Sequence, residues 1–256
     1  MQKEVECLKI DAEKGTREFI DRVVKETALS IFINGRNYAT AMISPQMKKE
    51  FVIGHLFSEG IIKELGEIES MQIQGNNAKV LTKSPLQVLI ARKTIVSGCG
   101  GGTSFLDESK LPKIESKLKI SEECIFNAIK TVFTSEIHKG THGIHSCGLF
   151  NSESLICKAE DIGRHNALDK VIGYALTEGC DFSDTFVVTT GRISSEMAFK
   201  CAVVNIPIIA SMGATTSLAI DIADKTGLTI VGFVRAKRMN IYSGGQKRFK
   251  SDRPNV

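Results

Sequence analysis

The residue of this chain best suited to chemistry is Cys99, which lies in the run Ser-Gly-Cys-Gly-Gly-Gly-Thr-Ser at residues 97–104. Glycines leave the backbone mobile, and successive open N–H groups can form a site for an anion. The thiolate anion is the reactive form of cysteine. The run therefore predicts a flexible arm with one nucleophilic sulfur at its tip. The alternative is a glycine-rich linker that happens to contain a cysteine.

Two polar clusters follow predicted strands, which is where ligands bind in open α/β sheets. Residues 160–166 and 189–196 each place a Gly-Arg pair directly before a predicted helix. A helix N-terminus attracts anions, and the arginine fork suits phosphate. The two junctions therefore predict an anion site, and the alternative for each is a capped helix with surface charges. The candidate residues are Arg164, His165, Asn166, Gly191 and Arg192.

A third cluster, residues 232–240, follows the last predicted strand and holds three cations in the four residues Arg235-Ala236-Lys237-Arg238. Such a run beside an aromatic residue suits a planar, phosphorylated ligand. Phe233 could stack on a nucleobase, as aromatic side chains do in nucleic-acid sites. A solvated basic surface loop is the alternative interpretation.

A fourth cluster contains His138, His142, His145 and Cys147 within ten residues. Imidazole and thiolate are the usual ligands of zinc. However, Cys147 begins a predicted strand, and the sequence offers no second pair of ligands. We therefore expect no metal site here and a structural role for His145.

Composition sets limits on the class of protein. The net charge of +4, from 33 basic and 29 acidic residues, is too mild for a non-specific nucleic-acid binder. Seven irregularly spaced cysteines without a CxxC pair favour a reducing compartment over a disulfide scaffold. We find neither a signal-peptide pattern nor a run of about 18 apolar residues. We therefore expect a soluble cytoplasmic protein with neither nucleic acid nor a membrane as its partner.

The first hundred residues are mostly typical of strands. Asn34-Gly35 and Gly75-Asn76 each separate two apolar runs and predict hairpins. Between these hairpins the sequence predicts a helix, which Ser44 caps and Gly60 ends.

The second half alternates helices and strands. Ser121 is expected to cap a helix, and residues 147–150 and 155–157 to form a strand pair. Helices at 166–176, 195–203 and 218–223 alternate with strands at 185–189, 206–210 and 228–234. This order predicts parallel strands with helices packed on them.

In this order, the segments resemble the FdhD/NarQ family, the formate dehydrogenase accessory sulfurtransferases. The run Glu-Asp-Ile-Gly-Arg-His-Asn-Ala-Leu-Asp-Lys at residues 160–170 is highly specific. The other matching runs are residues 26–35, 42–45, 54–61, the Cys99 loop, 141–145, 191–196, 213–219 and 232–235.

The resemblance implies an α/β fold, α+β overall. A β-rich N-terminal lobe at residues 1–115 would end in the Cys99 loop. It would be joined to a cytidine deaminase-like α/β/α domain at residues 116–256, with a mixed, largely parallel sheet. It also implies a homodimer.

The implied activity is that of a sulfurtransferase in molybdenum-cofactor biosynthesis. Such a protein takes sulfur from a cysteine desulfurase as a persulfide. It passes this sulfur to the molybdenum or tungsten of bis-molybdopterin guanine dinucleotide before that cofactor enters formate dehydrogenase. The cofactor is then a bound client, and a guanine nucleotide such as GDP can occupy its site.

Cys99 matches the persulfide-forming cysteine of the family. In the family, one segment binds the guanine nucleotide part of the cofactor. The residues that match this segment here are Phe233, Val234, Arg235, Ala236, Lys237 and Arg238. The segments around Arg164 and Arg192 are expected in the same pocket. The chain departs from the family pattern twice: Gly102 stands where many members have a second loop cysteine, and His142 replaces a glycine. The first change leaves a single-cysteine carrier.

Three other functions are alternatives to a sulfurtransferase. A zinc deaminase would need H-x-E and P-C-x-x-C motifs, and the sequence contains neither. A cysteine hydrolase would need a histidine base, and the sequence pairs none with Cys99. A non-catalytic chaperone that only binds the cofactor stays open. It would still work after Cys99→Ala, whereas a sulfur carrier would not.

Overall fold

A computed structural model describes residues 1–83, 111–244 and 248–249. Its first part contains an antiparallel ribbon and a four-stranded sheet with the order β4-β3-β6-β5, on which helix α1 packs. The ribbon consists of β1 (Gln2–Asp11) and β2 (Gly15–Val24); the sheet of β3 (Thr27–Ile33), β4 (Arg36–Ile43), β5 (Ile68–Gln74) and β6 (Asn77–Thr82); and α1 is Lys48–Ser58.

Both predicted hairpins are confirmed. Asn34 and Gly35 have φ values of 51° and 79°, as a type I′ turn requires, and Gly75 has a φ of 58°. These left-handed backbone angles explain why asparagine and glycine occupy the turns.

The expectation that Ser44 caps α1 is wrong. The N-cap residue is Met47, which makes no side-chain hydrogen bond to the helix. Ser44 is buried, and its hydroxyl accepts a hydrogen bond from the Ile162 N–H at 3.2 Å. The serine therefore links the first lobe to the second, because its position at their contact gives it a partner other than the helix.

The second part is built on a six-stranded sheet with the order β12-β11-β10-β9-β7-β8. Its strands are β7 (His145–Phe150), β8 (Leu155–Asp161), β9 (Phe186–Thr189), β10 (Ile208–Ser211), β11 (Thr229–Arg235) and β12 (Arg238–Ser243). Its helices are α2 (Glu122–Phe133), α3 (Glu136–Thr141), α4 (Arg164–Thr177), α5 (Ser195–Val203) and α6 (Ser217–Thr226).

The predicted mixed sheet is confirmed, although only two of its five neighbouring strand pairs are parallel. Strands β9, β10 and β11 are parallel, while β7 is antiparallel to both β8 and β9. Four strands, β8 to β11, therefore run in one direction. Helices α4, α5 and α6 pack on one face and α2 on the other, so the domain has three α/β/α layers. Ser121 caps α2 by accepting from the Cys124 N–H.

The basic run 235–238 is not a loop after the last strand. Strand β11 continues through Arg235, and β12 begins at Arg238, so only two residues form the turn. The second strand was missed because its apolar alternation covers only Met239 and Ile241, and Ile241 is 43% exposed at this edge of the sheet. The predicted domain boundary between residues 115 and 116 stays a prediction.

Candidate functional site

The carboxyl ends of β9, β10 and β11 meet at one edge of the six-stranded sheet. The Met212 N–H donates to the Thr189 carbonyl at 3.3 Å, and the Phe233 N–H donates to the Gly213 carbonyl at 3.1 Å. The Ser211 hydroxyl donates to the Gly191 carbonyl. These bonds hold the loops after β9 and β10 against each other and against the outer part of β11, as the parallel topology predicts.

Two of the predicted polar clusters converge at this edge. A Cβ on Gly191 would lie 2.7 Å from the Arg164 Cβ and 3.3 Å from the His145 Nδ1. Glycine is therefore required for the first turn of α4 to approach the loop after β9. Burial lowers the pKa of His145, and the nearby Arg164 charge lowers it further, so this imidazole is neutral beside the cations.

The third cluster joins the same edge through its first residues. A Cβ on Gly213 would lie 3.1 Å from the Arg192 backbone nitrogen, so the loops after β9 and β10 are in contact. The Arg235 Nη1 donates to the Met212 carbonyl at 2.8 Å. Phe233 is 42% exposed and has a φ of 51°. A left-handed backbone is rare for a bulky residue and often marks a functional position.

The other predicted site residues are placed differently. Asn166 donates to the Asp161 carboxylate and to the Met42 carbonyl, both at 2.8 Å, so its amide bridges the two parts of the molecule. Val234 is fully buried among residues of the α2 side of the sheet. Three exposed residues follow β11: Ala236 and Lys237 form the turn, and Arg238 begins β12. Cys99 lies outside the described residues.

His165 faces the interior between α4 and α5. Its Nε2 lies 3.1 Å from the Ser194 Oγ and 3.0 Å from the Glu196 Oε2. Burial, helped by the Arg164 charge, lowers its pKa to about 3, so the ring is neutral at physiological pH.

A buried ionic cluster, not predicted from the sequence, lies one helical turn beyond His165 and Glu196. The Lys200 Nζ lies 2.8 Å from the Glu59 carboxylate, 2.9 Å from that of Asp169 and 2.8 Å from the Ser58 hydroxyl. The His55 Nδ1 lies 3.1 Å from the same Asp169 carboxylate. The only sequence signal was that Asp169 and Lys200 interrupt otherwise apolar helix faces.

The four-residue histidine and cysteine cluster is not assembled around one point. The His138 Nδ1 lies 3.2 Å from the Ile144 carbonyl oxygen, and Cys147 is fully buried in the core. Within residues 1–83, 111–244 and 248–249, no group of three His, Cys, Asp or Glu side chains could hold a metal ion. Over those same ranges, no helix is both long and apolar enough to cross a membrane.

The family model described as "FdhD/NarQ family" matches residues 24–249. Sulfur carrier proteins FdhD of Bacillus pumilus and Methanothermobacter thermautotrophicus are 36% and 35% identical to this chain. The alignments cover 89% of this chain and 90% of the first relative, and 95% of this chain and 97% of the second.

A solved structure shows the same architecture. It is the crystal structure of a protein from Desulfotalea psychrophila described as a formate dehydrogenase accessory protein. The two share 28% sequence identity with a TM-score of 0.81, over 96% of this chain and 99% of that one. The fold and its strand-end site define an α/β protein with a β-rich N-terminal lobe. This chain belongs to the FdhD/NarQ family.

Proposed function

We propose that this protein is a sulfur carrier for the maturation of formate dehydrogenase. Its relatives are named sulfur carrier proteins, and its structural neighbour is described as a formate dehydrogenase accessory protein. The observation that carries the proposal is the convergence of Arg164, Arg192 and Arg235 at the ends of parallel strands. A pyrophosphate-containing cofactor fits such a site, because guanidinium groups and helix N-termini both bind phosphate.

The sulfur step begins at Cys99. The thiolate attacks the outer sulfur of a persulfide on a cysteine desulfurase, and the desulfurase thiolate leaves. Cys99 then carries the sulfur as a persulfide. Transfer of the outer sulfur to the molybdenum or tungsten of the substrate cofactor, as sulfide, takes two electrons. Two cellular thiols supply them and become a disulfide, which restores the Cys99 thiolate. Gly102 leaves one cysteine in this loop, so the proposed step uses no disulfide between two loop cysteines.

The strand-end site holds the guanine nucleotide part of the cofactor. Arg164 and Arg192 bind its phosphates beside the N-termini of α4 and α5. Phe233 stacks on the guanine, and its strained backbone is consistent with selection for ligand contact rather than for stability. GDP is the simplest probe of this site, and we propose that the protein works as a homodimer in the cytoplasm.

Intact-protein mass spectrometry tests the sulfur step. The protein is incubated with a cysteine desulfurase and cysteine, alongside Cys99→Ala and the control Cys7→Ala, which removes an exposed thiol. We expect one added sulfur atom on the wild type and on Cys7→Ala, and none on Cys99→Ala. Sulfur that is absent, or spread over the other cysteines, would contradict the proposal.

A second candidate function is a chaperone that binds the cofactor without carrying sulfur. The presence of Gly102 in place of a second loop cysteine favours it. Cells that lack the protein would regain formate dehydrogenase activity with Cys99→Ala if the chaperone function is correct. They would stay inactive if Cys99 carries sulfur.

A further inference from the structure

The N-terminus of α5 departs from the usual capping pattern. Ser194 is its N-cap residue and has the extended backbone of a capping serine, yet its side chain accepts no helix N–H. In α2 and α6, by contrast, Ser121 and Thr216 accept from the third helical N–H. The Ser194 hydroxyl instead lies 3.1 Å from the His165 Nε2. A serine at this position normally satisfies one of the four open N–H groups of its helix.

His165 contacts a second side chain of α5 through the same ring nitrogen. The Glu196 Oε2 lies 3.0 Å from its Nε2. A carboxylate only accepts hydrogen bonds, so the Nε2 carries the proton and the Ser194 oxygen accepts from it as well. One helical turn further on, Asp169 of α4 meets Lys200 of α5 at 2.9 Å, so a second buried contact ties the same two helices together.

We propose that His165 is a positioning residue that holds the Ser194 hydroxyl away from α5, so that the first N–H groups of this helix stay open to an anion. The inference rests on the proposed function, because the anion is the phosphate of the guanine nucleotide. The loop after β9 places Arg192 just before this helix end, and Gly191 brings it against Arg164. His165 then acts through Ser194 and does not contact the ligand.

Calorimetric titration with GDP tests the proposal through the interaction between two substitutions. In His165→Ala the serine is free to cap α5, and affinity for GDP should fall about tenfold, the size of a favourable helix–anion interaction. Ser194→Ala alone should change affinity less than about twofold. The double variant His165→Ala/Ser194→Ala should recover most of the lost affinity, because the competing hydroxyl is gone. His165→Gln keeps a hydrogen-bond donor, so its affinity for GDP should stay closer to that of the wild type. The exposed control His142→Asn should have the same affinity for GDP as the wild type.

A measurement without ligand separates this inference from the proposed function. In His165→Ala, amide hydrogen exchange at Glu196 and Met197, the N2 and N3 positions of α5, should slow because Ser194 now caps them. In the double variant it should not slow. Unchanged exchange in His165→Ala would overturn the inference, as would a GDP affinity that Ser194→Ala fails to restore. Slowed exchange in a protein whose wild type does not bind GDP would uphold the role of His165 and reject the nucleotide site.

Discussion

At the scale of single residues, the main feature is the charge buried where α1, α4 and α5 meet. Burial alone would raise the pKa of Asp169, but the Lys200 ammonium and the His55 ring outweigh it and lower the pKa to about 2. The carboxylates of Asp169 and Glu59 raise the pKa of Lys200, although burial alone would lower it. Each charge is therefore tolerated only because the other is present.

Asp169→Asn should destabilise the protein by about 3 kcal/mol at pH 7, because Lys200 loses one of its two carboxylate partners. The folded pKa of Asp169 lies below its ordinary value of 3.8, so its contribution is present above pH 4 and is lost as the pH falls toward 2. Urea unfolding at pH 7, 4 and 3 should show that the difference in the free energy of unfolding between wild type and variant becomes smaller as the pH falls. The exposed control Asp21→Asn should stay within about 0.5 kcal/mol of the wild type. A gap that is constant with pH would contradict this account.

Substitution of Phe233 should affect protein stability and affinity for GDP in different ways. Its positive φ costs about 1–2 kcal/mol in a residue with a side chain, and glycine removes that strain. Phe233→Gly should therefore leave the melting temperature unchanged or raise it, while GDP affinity falls. Phe233→Leu keeps the strain but loses the ring, so it should lose affinity without gaining stability. A clear loss of stability in Phe233→Gly would show that the ring is retained for packing.

At the scale of elements, the contact between α1 and α4 depends on two facing glycines. A Cβ on Gly54 would lie 1.8 Å from the Asp169 carbonyl oxygen, and one on Gly173 would lie 1.9 Å from that of Glu50. The helix backbones therefore touch, and this close approach lets α1 place His55, Ser58 and Glu59 against the buried pair on α4 and α5.

Gly54→Ala should force these helices apart and cost at least about 3 kcal/mol, at the upper end of overpacking effects. Gly66→Ala is the matched control, because its Cβ would meet only the flexible Glu64 side chain at 3.5 Å. Thermal unfolding of both variants followed by circular dichroism checks the difference. Equal melting temperatures would mean that the helix contact adapts without cost.

At the scale of the whole molecule, the N-terminal lobe and the α/β domain are joined by buried polar groups. The fully buried Asp161 and Lys170 form an ion pair at 2.6 Å. Ser44 of the first lobe completes it, donating its N–H to Asp161 at 2.9 Å and accepting from Lys170 at 3.2 Å. Separating the lobes would leave a buried charge pair without part of its hydrogen bonding, which is costly.

The two parts should therefore unfold as one cooperative unit. Native-state hydrogen exchange at increasing urea should give amides of β3 and of β10 the same opening free energy and the same urea dependence. Far-UV circular dichroism should show a single transition at the same midpoint. Earlier opening of β3 would mean that the lobe is an independent domain.

Local structure and family membership were both readable from the order of residues along the chain. Asn34-Gly35 and the Ser121 cap were readable because a turn or cap depends on a few adjacent residues. The alternation of helices and strands after residue 120 predicted parallel strands, and three polar clusters pointed to the strand ends. The ribbon of residues 2–24 escaped individual prediction, since most of its side chains are exposed and the burial alternation is weak.

The roles of the buried polar residues, by contrast, depend on contacts between elements that are far apart along the chain. Ser44 looked like a helix cap, yet it completes a buried ion pair 117 residues away in sequence. Asn166 and His165 looked like ligand contacts, yet the structure directs both toward protein groups. The cluster around Lys200 joins residues from three helices whose spacing along the chain carries no signal. The physical reason is that a buried polar group takes whichever partner the packing of distant elements brings within 3 Å, and local sequence does not encode that partner.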